Sequence, residues 1–179
     1  MVQGIVDGVR AFAERASKWI CATTEAQKRV YVFYGEVYGG KGISGASKFY
    51  SKSGQEVGFR LFDILSFKTE DFISKIQEPR EKISSWRKHL GQPFVDEPYL
   101  RAYASTLDVE VTPRILLGTP PPSGVTEAHE WLKMVLKDGS RAILGETGKG
   151  RPEGVVVRTV DRWKIAKLRF EDYERTHRL

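Results

Sequence analysis

Two runs near the end of the chain constrain its fold more than any other feature of the sequence. Glu153–Val160 (EGVVVRTV) and Trp163–Phe170 (WKIAKLRF) have strand composition, and only Asp161 and Arg162 separate them. A connection that short joins antiparallel neighbours, because a parallel crossover needs a dozen residues or more. A turn centred between Asp161 and Arg162 also sets the register, with Arg158 facing Ile165 and Glu153 falling beside Phe170. Strand alternation then puts Ile165, Lys167 and Arg169 on one face and Lys164 and Leu168 on the other. Two cations side by side on an inward face call for an anion between them, and phosphate is the natural one.

Upstream, the periodicities change. Apolar residues Ile5, Val9, Phe12, Ala16 and Trp19 recur at three- and four-residue steps and predict an amphipathic helix over Ile5–Gln27. Lys28–Tyr38 is β-branched and aromatic and predicts a strand, as does Gly58–Phe67 (GFRLFDILSF). The Gly/Ser/Lys-rich stretch Gly39–Gly54 between them predicts a loop. Helices are predicted at Glu70–Ile76, at Arg80–Leu90 closed by Gly91, at Glu97–Thr106, and at Val125–Leu136 capped by Ser123 or Thr126. Pro113–Gly118 (PRILLG) predicts a short strand, TPPPSG at Thr119–Gly124 a surface turn, and Gly145–Pro152 a loop. The irregular mixture predicts an α+β fold with a largely antiparallel sheet, as one domain over residues 1–179.

Four short strings carry the chemistry. They are Tyr34-Gly35-Glu36, Phe62-Asp63, Glu153-Gly154 and Lys167-Leu168-Arg169. Glycine beside a strand-end glutamate lets a ligand approach the backbone, and the carboxylate can hold a hard cation or a hydroxyl. Acids for Mg²⁺, cations for phosphate and an aromatic ring for a base together describe a nucleotide site. In their order the strings resemble the covalent nucleotidyltransferase superfamily of ligases and capping enzymes. Tyr34-Gly35-Glu36 is similar to its motif III, and Phe59–Ile64 (FRLFDI) to motif IIIa. Glu153–Arg158 (EGVVVR) is similar to motif IV, and Lys164–Arg169 (KIAKLR) to motif V. The helix before motif III and the helical insertion after motif IIIa resemble the ATP-dependent RNA ligase branch most. So does a chain end only about ten residues past Arg169, without the OB-fold of DNA ligases and capping enzymes.

The resemblance implies an ATP-grasp-like nucleotidyltransferase domain using ATP and Mg²⁺. In the family a lysine attacks the α-phosphate of ATP. AMP then passes from enzyme to an RNA 5′-phosphate, and a 3′-hydroxyl displaces it. Glu36 would bind the ribose or support the reacting end, Phe62 would stack on adenine and Glu153 would hold the metal. Lys167 and Arg169 would contact the α-phosphate, with Lys167 and Glu36 as the catalytic pair. The family's Lys-x-Asp-Gly motif has no match. Ile5-Val6-Asp7-Gly8 offers isoleucine where the nucleophile should stand, inside a helical pattern. The expectation is therefore an N-terminally incomplete domain, spanning motifs III to V, whose lysine comes from a missing segment or a second chain. The alternative is a non-catalytic nucleotide- or RNA-binding module. Arg169 also replaces the second lysine usual in motif V, which keeps charge but changes geometry.

Several residues have plainer readings. Phe62 can be core, Arg158 a surface charge, and Asp63 structural, since a regular strand points it away from Phe62's face. Lys41, Lys48 and Lys52 can be solvated or touch RNA. Trp86, Trp131 and Trp163 are predicted to pack in or beside the core, and the lone Cys21 to be a small buried hydrophobe. One cysteine points to a reducing, cytoplasmic compartment. No apolar run is long enough to span a membrane, and no zinc-type spacing occurs. The excess of 29 Lys and Arg over 23 Asp and Glu suits a polyanionic partner.

Overall fold

In a computed structural model, which describes residues 2–40, 50, 56–142, 144 and 152–176, the first amphipathic stretch folds as α1 (Val2–Ala22) and a short α2 (Thr24–Gln27). The chain breaks between them at Thr23, whose extended backbone caps α2. Strands β1 (Arg29–Gly39) and β2 (Val57–Lys68) then pair antiparallel along their whole length. One face of this hairpin receives α1. Phe12 and Ala16 join Leu61, Ile64, Leu100, Ala104 and Leu107 in the buried core, and Phe12 meets Phe33 edge-on at 5.2 Å. Each fully buried leucine contributes about 1.5–3 kcal/mol relative to exposure. Lys41, Lys48, Lys52 and residues 145–151 lie outside the described residues.

The ladder slips once. Tyr34 faces Asp63 while Gly35 faces Leu61, so Phe62 is an extra residue on β2. A regular strand would send Phe62 and Asp63 to opposite faces. The bulge instead turns both to the face away from α1, where the Phe62 ring lies 6.3 Å from that of Tyr34. Two irregular segments cover the outer edge of β2. Pro93 and Val95 bond to Ser66 and Ile64, and Glu110 and Thr112 bond to Leu61. A gap remains between them at Phe62.

Helices α3 (Thr69–Ile76), α4 (Arg80–Lys88), α5 (Glu97–Thr106) and α6 (Val125–Val135) match the predicted positions within a few residues. The cap of α6 is Gly124, not Ser123 or Thr126, and no side chain closes it. Pro113–Gly118 is not a strand: the ladder contact falls earlier, at Val111 opposite Leu61. Pro113 brings no N–H to continue that ladder, Arg114 is drawn away by its ion pairs, and Leu116 is fully solvated.

Strands β3 (Gly154–Arg158) and β4 (Ile165–Arg169) form the second antiparallel sheet, followed by α7 (Phe170–Thr176). Their pairing is the predicted one, from Gly154↔Arg169 to Arg158↔Ile165, and the Phe170 amide bonds to the Glu153 carbonyl. The turn is wider than two residues, because Thr159 also pairs with Lys164. It stays symmetric about the same point, so the register is unchanged. Trp163 at this turn is exposed rather than packed, since the turn docks through Val160 and Arg162 instead, and Cys21 on α1 is exposed rather than buried. Trp86 and Trp131 are half-buried.

Candidate functional site

The second hairpin brings Glu153 and Lys167 together. The Lys167 amine lies 3.7 Å from the Glu153 carboxylate, with both side chains largely solvated. An exposed pair of this kind is worth about 0–1 kcal/mol, so a ligand can open it at little cost. Glycine after Glu153 is required by the tight strand pairing: a Cβ on Gly154 would lie 2.0 Å from the Leu168 carbonyl oxygen. Val156 stands opposite Lys167, and Val156 and Ile165 leave about half their surface open on the face that also carries Arg158.

Arg169 is on the same face but is already engaged. Its guanidinium forks onto Asp172 at 2.8 and 3.0 Å, which holds the Arg169 pKa above its ordinary value and the Asp172 carboxyl below its own. A lysine cannot make this two-bond contact, which accounts for arginine at a position where the resemblance leads one to expect lysine.

A buried ionic clasp joins the two hairpins. Asp63 is almost completely buried, and its carboxylate receives Arg158 at 2.5 Å and Arg162 at 2.6 Å. Glu97, at the start of α5, pairs with Arg158 at 2.5 Å and Arg114 at 3.1 Å. Arg114 and Arg158 also fill the gap at the edge of β2, each donating to the Phe62 carbonyl, at 3.3 and 3.2 Å. Arg162, held at a positive φ of 62° in the turn, sits over Phe94, its guanidinium carbon 3.4 Å from the ring centre. Burial alone would raise the Glu97 carboxyl, but hydrogen bonding from Arg158 and the charge of Arg114 carry it below the usual range. Burial lowers the Arg114 pKa, and the nearby positive Arg158 adds to that. Asp63 is thus structural, while Arg158 is no free surface charge. Glu97 and Arg114 had no chemical signal in the sequence, and an acid at a helix start explains Glu97 only as a cap.

Glu36 is exposed and faces Arg60 across the first ladder. Arg60 is turned toward neighbours on its other side, donating to the Tyr38 hydroxyl at 2.6 Å and pairing with Glu110 at 2.7 Å. A side chain at Gly35 would have to displace the Phe59 ring, because a Cβ there would lie 2.2 Å from it. Tyr50 feels the charge of both glutamates. Its hydroxyl is pushed up by burial, then by the negative charges of Glu36 and Glu153, so both carboxylates act on one phenol. Half-buried Phe62 shares the face of the first sheet that carries Glu36, within an aromatic patch with Tyr34 and Phe94. Among the described residues, no three acidic, His or Cys side chains converge as a ready-made metal cage. No described helix is long and apolar enough to cross a membrane.

A model of the RNA ligase family matches residues 9–171, nearly the whole chain, and the chain belongs to that family. Its α+β architecture with two antiparallel sheets is the nucleotidyltransferase-like arrangement that the motif order implied. No curated protein and no solved structure gives a significant match.

Proposed function

We propose that the face shared by the two hairpins binds ATP and the ends of RNA, as part of an ATP-dependent ligase that joins a 5′-phosphate to a 3′-hydroxyl through enzyme–AMP and RNA–adenylate. The observation that carries this reading is the Glu153–Lys167 pair, an acid and a cation on adjacent strands held weakly enough to part around a ligand. Lys167 would neutralise charge building up on the α-phosphate. Such transfers depend mainly on positioning and charge stabilisation. Phe62 offers the ring for adenine, and the exposed Val156 offers an apolar surface on the other hairpin. Glu36 would hold the ribose or the reacting end.

Mg²⁺ fits the donor set. It is commonly held by one or two carboxylates plus substrate phosphates, and Glu153 is solvated and able to serve. When bound, the metal would supply charge neutralisation at the phosphates. Arg169 contacts phosphate in this reading only after loosening its fork on Asp172, so its contribution is smaller than that of Lys167.

Calorimetric titration with Mg²⁺–ATP tests the proposal. Lys167→Ala and Glu153→Ala should each weaken binding by about tenfold, the scale of one charge-assisted contact. Affinity unchanged in both variants would remove the site. A second reading is a binding module without chemistry. Incubation with α-labelled ATP separates the two: an acid-labile labelled protein band supports the catalytic reading. Such a band would direct attention to Lys18 or Lys28 as the attacking group.

A further inference from the structure

We propose that helix α4 carries a docking groove for the RNA strand, remote from the site where the ends would react. The inference rests on the reading that RNA is this chain's substrate. Arg80, Ile83, Ser84, Arg87 and Lys88 follow the i, i+3, i+4, i+7, i+8 spacing of a single helical stripe. That spacing usually marks the buried face of a helix. Here the stripe lines an open groove of about 430 Å³, which Gln92 also lines.

Three cations share this groove, and no acidic residue lines it. Among the described residues none of the three has an ion-pair partner, whereas Arg114, Arg158 and Arg162 are all bound to carboxylates. Arg80 and Arg87 are seven residues apart, about 10 Å along the helix axis. A single small anion cannot satisfy charges spread over that distance, but a chain of phosphates can. Ser84 and Gln92 add neutral hydrogen-bonding groups of the kind that contact a sugar–phosphate backbone.

The groove is held in a fixed place. Trp86, on another side of α4, packs 6.1 Å from Phe67 of β2 and lies under the Lys75 amine at 5.0 Å. Gly91 seals the end of the helix, since a Cβ there would lie 2.2 Å from the Trp86 ring. Phe67 alternates with Leu65 and Asp63, so α4 sits over the sheet face that carries Phe62 and Glu36. From Arg60, which faces Glu36, to Phe67 is about 20 Å of strand at 3.3 Å per residue. An RNA end placed at Glu36 would therefore reach α4 only several nucleotides away, passing outside the segments that bury Asp63, Leu65 and Phe67.

The test is fluorescence anisotropy with 5′-phosphorylated single-stranded RNA of about 4 and about 15 nucleotides, over a series of salt concentrations. The variant Arg80→Ala/Arg87→Ala/Lys88→Ala is compared with wild type and with Lys133→Ala/Lys137→Ala as a control for reduced surface charge. The longer RNA should bind the triple variant at least tenfold more weakly. Its plot of log affinity against log salt should flatten by about 2, at about 0.7 for each single-strand phosphate that is no longer neutralised. Binding of the short RNA and of Mg²⁺–ATP should be unchanged. If the triple variant binds the long RNA with wild-type affinity and salt dependence, or is weakened no more than the control pair, the groove is not an RNA site. A wild-type protein that binds neither RNA overturns the functional reading itself, a result distinct from loss confined to the triple variant.

Discussion

Asp63→Asn tests the clasp most directly. Asparagine keeps the shape of the side chain and one acceptor oxygen but cannot neutralise Arg158 and Arg162. Removing one member of a buried ion pair costs about 3–5 kcal/mol, because the remaining charge is left uncompensated. Three observations set the size here. The Asp63 side chain is 4% exposed and has two arginine partners, which favours the upper end. Against that, Arg158 and Arg162 keep 14% and 19% exposure, and Arg158 retains Glu97. The loss should therefore be about 2–4 kcal/mol, a large share of a typical total of about 5–15 kcal/mol. Urea unfolding followed by tryptophan fluorescence should show a lower midpoint with an unchanged slope. In a double-mutant cycle, Arg162→Ala should cost less in the Asp63→Asn background than in wild type, with a coupling of about 0.5–3 kcal/mol. A loss below about 0.5 kcal/mol and no coupling would mean that water screens these charges and that the hairpin is anchored by other contacts.

Other outcomes follow from the same geometry. Phe62→Ala should weaken ATP binding about tenfold or more, since stacking on one ring is worth about 1–3 kcal/mol, while leaving the protein folded; titration of the variant checks both. Gly35→Ala should destabilise by about 1–3 kcal/mol in urea, because its methyl group must displace the Phe59 ring. Arginine pairing holds the Glu97 carboxyl below its ordinary 4.5, so its contribution is complete above that pH and is lost as pH falls through the lower folded value. Acid unfolding of Glu97→Gln should accordingly be less steep than that of wild type. Tyr31, pushed by burial and by Tyr103 from 10.0 up to about 12, acts in the opposite sense. Its contribution is intact below pH 10.0 and declines as pH rises through about 12, and Tyr31→Phe should flatten that alkaline loss.

The second hairpin is legible in the sequence because a short symmetric turn fixes pairing whatever its detailed shape. That is why widening the loop around Asp161 and Arg162 leaves Glu153 beside Lys167. The helices are legible from periodicity, since α1 must turn Phe12 and Ala16 inward to bury them. The bulge is not legible. Alternation of side chains carries no mark of a supplementary residue, so it assigns opposite faces to Phe62 and Asp63, which share one. The clasp is hidden for a different reason. Glu97 and Arg114 belong to no motif, and only the fold brings them to Arg158 and the Phe62 carbonyl. Pro113–Gly118 reads as a strand because Ile115, Leu116 and Leu117 are apolar, yet nothing in the sequence shows that Arg114 is committed to a carboxylate.

Phe62 is supernumerary to its sheet. Excising it would close the β1–β2 pairing into an unbroken register, with Tyr34 still facing Asp63, Gly35 still facing Leu61 and every other side chain on its present face. The backbone pairing therefore places no demand on this position, and a one-residue deletion, usually ruinous in a strand, would spare the ladder here. What such a deletion would take away is a ring on the open face and a carbonyl that two arginines grasp. A residue that the ladder can spare in this way is held in place by what its ring and carbonyl touch.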